Sequence, residues 1–220
     1  MANGTNNTKG YMGESGSRLE ERLNAYSHGL GVLLGFIGLF FLLQKSTDKT
    51  PYATLSILIY SLCLIALFTA SMVYHAVSKA HLRKIYQIID HIGIYLLIAG
   101  TYTPVALISL ESGNGWTLFY TVWAIAAFGA VLKLFFTGKY ELVSLLLYVV
   151  MGWLIILDFS NLREATTDLG INLLFGGGAF YTLGILFYAN RKIPYNHFIW
   201  HLFVLGGAVC HWLFIYLDVV

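Results

Sequence analysis

The stretch ATLSILIYSLCLIALFTASMVYHAV, Ala53 to Val77, decides the fold class. It contains no Asp, Glu, Lys or Arg, and a bilayer is crossed by about 20 mainly apolar residues of helix. Near its end, Ser71 and His75 lie four positions apart, so they point to the same side of a helix. An ionisable group within a membrane span is costly and marks a functional site by default. The stretch therefore predicts a transmembrane helix whose last turns carry functional polar residues.

The rest of the chain has the same apolar character. Its 220 residues are 58% hydrophobic, 16% aromatic and only 11% charged, with a mean hydropathy of +0.71. A soluble domain carries about 25% charged residues, so the composition predicts an integral membrane protein. The net charge of +2 is too small to indicate a nucleic-acid partner. Cys63 and Cys210 lie in apolar stretches and provide neither a disulfide framework nor a zinc-ribbon pattern.

Hydropathy predicts an all-α membrane protein with seven transmembrane helices in one bundle. Residues 1–22 form a polar tail, which we expect to be disordered or helical only near its end, and residues 23–220 form the membrane domain. The predicted helices cover about 23–44, 53–77, 85–109, 116–137, 140–158, 169–189 and 197–218.

Basic residues collect on the side of the bundle that carries the N-terminus. That side holds Lys9, Arg18, Arg22, Lys79, Arg83, Lys84, Lys139, Arg191 and Lys192. The opposite side holds only Lys45, Lys49 and Arg163. The positive-inside rule then predicts a cytoplasmic N-terminus and an outer C-terminus.

Three polar clusters converge at one depth under this topology. Ser71 and His75 end the second helix, Asp90 begins the third, and His197 and His201 begin the seventh. At 1.5 Å per residue, all of them lie about 5–15 Å inside the cytoplasmic boundary. His197 and His201 are four positions apart and can bind one ion from a single helix. With His75, they predict a transition-metal site, most simply zinc.

Asp90 and Ser71 are the candidate catalytic residues. Three neutral imidazoles around Zn²⁺ leave two positive charges in a low-dielectric environment, and Asp90 can balance them as a direct ligand or as acceptor from a metal-bound water. Its alternative role is neutralising Arg83 or Lys84 nearby. Ser71 either orients a ligand or a bound water or bonds the backbone carbonyl four residues earlier.

A polar stripe enters the first helix. Glu20, Asn24 and His28 follow one another at four-residue intervals, so they either support the metal site or form an ordinary interfacial stripe. His211, in the outer half of the seventh helix, is expected to make an interhelical hydrogen bond.

These motifs resemble the signature of the hemolysin III family. The resemblance rests on Ser71-x-x-x-His75, Asp90-His91 and His197-x-x-x-His201, on an entry motif, Glu20-Glu21 with Asn24 and Ser27-His28-Gly29, and on the third-helix segment from Ala99 to Pro104. It covers about residues 20–218. That family is grouped with the adiponectin and progestin receptors and the alkaline ceramidases. The resemblance implies seven helices, a cytoplasmic N-terminus, zinc bound by His75, His197 and His201, and Asp90 holding a zinc-bound water.

The resemblance implies a function in the membrane of a bacterial cell. We expect a zinc-dependent hydrolase that acts on a lipid amide or ester and takes part in membrane lipid and fluidity homeostasis. One alternative is a non-enzymatic sensor or receptor-like protein in which zinc is structural. The third interpretation, a pore-forming hemolysin, ranks last because the chain has no secretion signal and no amphipathic pore-forming segment.

Overall fold

The computed structural model describes residues 14–45 and 49–220, with side chains from Ser17 onward. The described residues are helical, without strands. The α-helices are α1 Glu14–Lys45, α2 Ala53–Ala76, α3 Ala80–Pro104, α4 Gly115–Phe136, α5 Glu141–Gly152, α6 Phe159–Ala165, α7 Asp168–Ala189 and α8 Asn196–Phe214. Single π-helical segments, Val105–Ser109 and Ile215–Val219, extend α3 and α8, and a 3₁₀ segment, Leu154–Asp158, joins α5 to α6.

Seven of the resulting helical segments are long and apolar enough to cross a membrane. They are Ser17–Lys45, Ala53–Ala76, Ala80–Ser109, Gly115–Phe136, Glu141–Ala165, Asp168–Ala189 and Asn196–Val219. The predicted seven-helix membrane bundle is therefore confirmed, while its orientation in the membrane stays a prediction.

The first helix begins earlier than the hydropathy pattern indicated. α1 starts at Glu14, nine residues before the expected start, so the second half of the predicted polar tail is helical. Residues 1–13 of that tail lie outside the described residues. Because α1 begins this early, all the polar residues of the entry motif lie on one continuous helix.

The fifth span is interrupted in mid-membrane rather than continuous. α5 ends at Gly152, and the 3₁₀ segment follows after Trp153. The hydroxyl of Tyr102 donates to the Gly152 carbonyl and accepts from the Ile155 amide, both at 3.0 Å. A helix break inside a membrane leaves backbone groups that need other hydrogen-bond partners. The phenol of Tyr102 supplies these partners at the break in the fifth span.

α1 packs against both α2 and α8, which places the polar entry motif beside the ends of both helices. The approach of α1 to α2 is close because a Cβ on Gly31 would lie 2.7 Å from the ring of Phe68. α2 also packs against α3, and α7 against α8. One end of the bundle therefore gathers the end of α2, the start of α3, the start of α8 and the first turns of α1.

Candidate metal centre

Three histidines from two helices meet at this end of the bundle. His75 lies in the last turn of α2, and His197 and His201 lie in the first turns of α8. One nitrogen of each ring lies within 4.8 Å of the corresponding nitrogens of the other two. The ring centroids are 4.7–5.0 Å apart. Three imidazoles held this closely can bind one metal ion.

The start of α8 is set by a sharp backbone turn. Tyr195 adopts a left-handed conformation, with φ of 55°, immediately before Asn196. Pro194 precedes it in the loop that follows the end of α7 at Ala189, and its ring fixes φ of the residue before the turn. The turn places His197 in the first turn of α8 and His201 one turn deeper, so both rings face the same side.

α1 fixes the ring of His75. The Nδ1 atom of His75 donates to Oε2 of Glu21 at 2.7 Å. A carboxylate only accepts hydrogen bonds, so Nδ1 carries the proton and Nε2 keeps its lone pair. That Nε2 is buried and has no hydrogen-bond partner within the described residues. A histidine with one nitrogen bonded to a carboxylate and the other free has the arrangement of a metal ligand.

α1 fixes His201 in the same way. The Nδ1 atom of His201 donates to the backbone carbonyl of Asn24 at 3.2 Å, with Ser27 Oγ at 3.3 Å. The Ser27 hydroxyl itself donates to the same carbonyl at 2.9 Å. The Nε2 lone pair of His201 is thereby kept for an outside partner.

Glu21 is itself held in place by a cation. Arg83, in the first turn of α3, donates from Nη2 to Oε1 of Glu21 at 2.5 Å. Its guanidinium also lies over the ring of Tyr74, 4.7 Å from the centroid. The carboxylate therefore bridges Arg83 and His75 with one oxygen each.

Sequence reasoning placed Glu20, not Glu21, in the supporting set. One carboxylate oxygen of Glu20 is buried without a partner in the described part of the chain. Glu20 accepts from the backbone of His197 and Phe198, so it holds the start of α8 rather than an imidazole. A signal for Glu21 was present: Glu21, Asn24 and His28 are separated by three and then four residues, the spacing of one helical face. Intervals of four and four, starting from Glu20, also lie on one helical face, so spacing alone does not separate the two carboxylates.

His28 lies beside the three imidazoles. Its ring stacks on that of His201, with centroids 3.6 Å apart and planes 9° from parallel, and meets Phe68 edge-on at 5.0 Å. Both of its nitrogens are buried without hydrogen-bond partners among the described residues. The structure therefore brings His28 and Asn24 to the site as the polar stripe suggested.

Ser71 and Asp90 face the same space from α2 and α3. Both are buried, and both border a cavity that His28, His197 and His201 also border. The hydroxyl of Ser71 lies beside the Asp90 carboxylate, to which it can donate a hydrogen bond. Asp90 is not part of the three-histidine cluster defined by the 4.8 Å distances. Asp90 therefore lies on the same cavity as the histidines, outside their cluster.

The cavity is mostly apolar beyond the histidines. Aliphatic and aromatic side chains of α2, α3, α5, α7 and α8 form its walls, among them Leu67, Ile94, Leu97, Leu145 and Val204. The walls continue to Val105, Leu174 and His211, toward the other end of the bundle. A long, apolar space with polar groups at one end fits a ligand with a hydrocarbon chain.

The comparisons with known proteins agree with this architecture. The sequence model of the family described as "Haemolysin-III related" matches residues 17–212. The protein named Hemolysin-3 from Bacillus cereus is 41% identical over 190 residues, covering 86% of this chain and 87% of the relative. A Hemolysin-3 homolog from Bacillus subtilis (strain 168) is also 41% identical over 190 residues, covering 86% and 89%.

The similarity extends to animal proteins. The human protein named Monocyte to macrophage differentiation factor is 31% identical over 207 residues, covering 90% of this chain and 85% of the relative. The matched residues include the entry motif of α1, the three histidines and Asp90. With its seven apolar helices, the chain is a multi-pass protein of the cell membrane, and it belongs to the haemolysin III family.

Proposed function

We propose that this chain is a zinc-dependent membrane hydrolase that cleaves an amide or ester bond of a lipid. The observation that carries the proposal is the position of the histidine cluster, whose ligand atoms lie within 4.8 Å of one another at the polar end of an apolar cavity. The cavity would hold the hydrocarbon chain, and the bond to be cleaved would lie beside the histidines.

The residues present fit a zinc ion. Nε2 of His75 and Nε2 of His197 are buried without partners, and a buried unpaired nitrogen costs free energy unless a ligand satisfies it. Three imidazoles leave a fourth position open, as in catalytic rather than structural zinc sites. When bound, zinc supplies polarisation of a carbonyl group and activation of water.

Asp90 acts as the general base. Among the described residues, two carboxylates border the cavity at the end with the histidines. Glu141 is paired with Lys133, so Asp90 is the one assigned to orient a water molecule and accept its proton. Ser71 lies one helical turn before His75 on the cavity wall and beside Asp90. Its hydroxyl can donate to that carboxylate or to the oxygen that gains charge in the reaction. The apolar walls exclude bulk water and position the chain.

We further propose that the reaction takes place near the cytoplasmic face. Lys79, Arg83, Lys84, Arg191 and Lys192 all lie at the end of the bundle that carries the site, which supports a cytoplasmic N-terminus. A hydrolase in this position would change the lipid composition of the membrane and thereby its fluidity.

The test is lipid mass spectrometry on vesicles of cell lipids that contain the zinc-loaded protein. The wild type should convert an amide or ester lipid to its fatty acid, and Asp90→Asn should lower the rate roughly 10²- to 10⁴-fold while retaining zinc. Zinc retention without turnover in the wild type would favour a structural ion in a sensor. Equal turnover by the wild type and Asp90→Asn would refute the proposed base.

A further inference from the structure

The far end of the cavity is polar again. His211 lies ten positions after His201 on α8, so it borders the cavity about 15 Å further along the bundle. Tyr181 of α7 borders the same region, and the centroids of its ring and the His211 ring are 5.5 Å apart. Neither residue takes part in the chemistry proposed above.

Contacts with α7 determine the position of the His211 ring. A Cβ on Gly177 would lie 2.2 Å from the imidazole, so the absence of a side chain there makes room for the ring. Nε2 of His211 donates to the Leu174 carbonyl at 3.1 Å, the interhelical hydrogen bond expected from the sequence. Nδ1 is therefore an acceptor, and it is buried without a partner in the described part of the chain.

The other polar side chains that border this part of the cavity are paired. The hydroxyl of Tyr102 bonds the backbone at Gly152 and Ile155, and that of Thr182 bonds Gly178 and Trp153. The Tyr181 hydroxyl makes no hydrogen bond within the described residues, so it can donate as well as accept. An unpaired acceptor and a free hydroxyl therefore stand together on an otherwise apolar wall.

We propose that Tyr181 and His211 form a second subsite that binds a hydroxyl group on the hydrocarbon chain of the lipid. A hydroxyl donates to Nδ1 of His211 and accepts from Tyr181, so one group satisfies both residues. A carbonyl cannot donate to Nδ1. A cation would have no counter-charge here, since the acidic residues that border the cavity, Asp90 and Glu141, lie at its other end, and an anion would have none because no Lys or Arg of the described residues borders it. This inference rests on the proposed function, because it assumes that the polar head of the lipid lies at the histidine cluster.

The experiment measures binding of matched fatty acids to the zinc-loaded, purified protein. The probes are stearic acid and hydroxystearic acids with the hydroxyl beside the carboxyl group, in mid-chain or near the methyl end, each displacing a fluorescent fatty acid. A hydroxyl in the distal half of the chain should strengthen binding roughly 3- to 10-fold over stearic acid. A hydroxyl beside the carboxyl group should not.

Two variants and two matched controls assign the effect. His211→Leu and Tyr181→Phe should each remove the preference for the hydroxylated chain, and Tyr181→Phe deletes a single oxygen and so spares the packing. His81→Leu and Tyr120→Phe change exposed residues of the same types and should preserve it. Equal binding of all four acids by the wild type, or a preference that survives both site variants, would overturn the subsite.

The outcome is separable from that of the hydrolase proposal, because binding requires no turnover and zinc content is measured in each sample. Selection of the hydroxylated chain without turnover would refute the hydrolase alone. Turnover without that selection would refute the subsite alone.

Discussion

The carboxylate of Glu21 lies 2.7 Å from Nδ1 of His75, so a residue of the first helix determines which nitrogen of a second-helix imidazole faces the candidate metal. The other carboxylate oxygen is held by Arg83 at 2.5 Å. The three residues come from α1, α2 and α3. The metal centre therefore depends on how these helices pack, and not only on the three imidazoles.

Replacing Glu21 tests this dependence. Glu21→Gln should weaken zinc binding roughly 10- to 100-fold. Without its carboxylate partner, a histidine ligand is less basic and its ring is less firmly oriented. Competition with a chromophoric zinc chelator measures the affinity. Glu20→Gln is the matched variant, and it should leave the affinity within about twofold of the wild type, because the amide oxygen can still accept from the backbone of His197 and Phe198. A larger effect at Glu20 than at Glu21 would show that the wrong carboxylate has been assigned.

The stack of His28 on His201 makes a second prediction. Its 3.6 Å centroid distance and nearly parallel planes indicate that the ring of His28 restrains the ring of His201. An aromatic pair of this kind is worth about 0.5–1.5 kcal/mol, so His28→Ala should weaken zinc binding roughly 2- to 12-fold. His28→Phe keeps a ring and loses both nitrogens.

The two His28 variants distinguish stacking from hydrogen bonding. If stacking is the role of His28, His28→Phe should bind zinc within about twofold of the wild type by the same chelator competition. Loss of zinc affinity in His28→Phe equal to that in His28→Ala would show that the nitrogens matter and that the stack does not.

An ion pair between a buried lysine and a carboxylate on the cavity leads to a prediction about stability. Nζ of Lys133 lies 2.8 Å from Oε2 of Glu141, and Lys133 is 1% exposed whereas the Glu141 side chain is 38% exposed. Glu141→Ala leaves the buried ammonium group of Lys133 without its ion-pair partner and should lower the free energy of unfolding by roughly 3 kcal/mol. Lys133→Met leaves a carboxylate that water can reach and should cost about 1 kcal/mol or less.

Thermal unfolding in detergent measures both changes, with Glu164→Ala, at an exposed residue, as the control for a lost carboxylate. The same melting temperature for Glu141→Ala and Glu164→Ala would contradict the role assigned to the pair.

Much of this molecule could be predicted from its sequence because the bilayer constrains the chain so strongly. Long stretches without charge had to be spans, and the spacing of His197 and His201 placed both rings on one helical face. Their proximity to His75 followed from the order and direction of the helices. Each of these inferences depends on local periodicity or on topology alone.

The remainder depends on contacts between residues far apart in the chain. The break in the fifth span is tolerated because the hydroxyl of Tyr102, some fifty positions earlier, bonds the freed backbone groups. The choice of Glu21 over its neighbour depends on where α2 places His75. Nor does sequence alone reveal that Gly177 makes room for His211, since the two residues lie on different helices.

The central claim is that His75, His197 and His201 bind one zinc ion, and metal analysis of the purified protein tests it most directly. Inductively coupled plasma mass spectrometry should find about one zinc per chain in the wild type, and much less in His197→Ala at an unchanged helical content. His81→Leu, which alters an exposed histidine outside the cluster, should retain the wild-type value. Full zinc occupancy in His197→Ala, or none in a folded wild type supplied with zinc, would contradict the account.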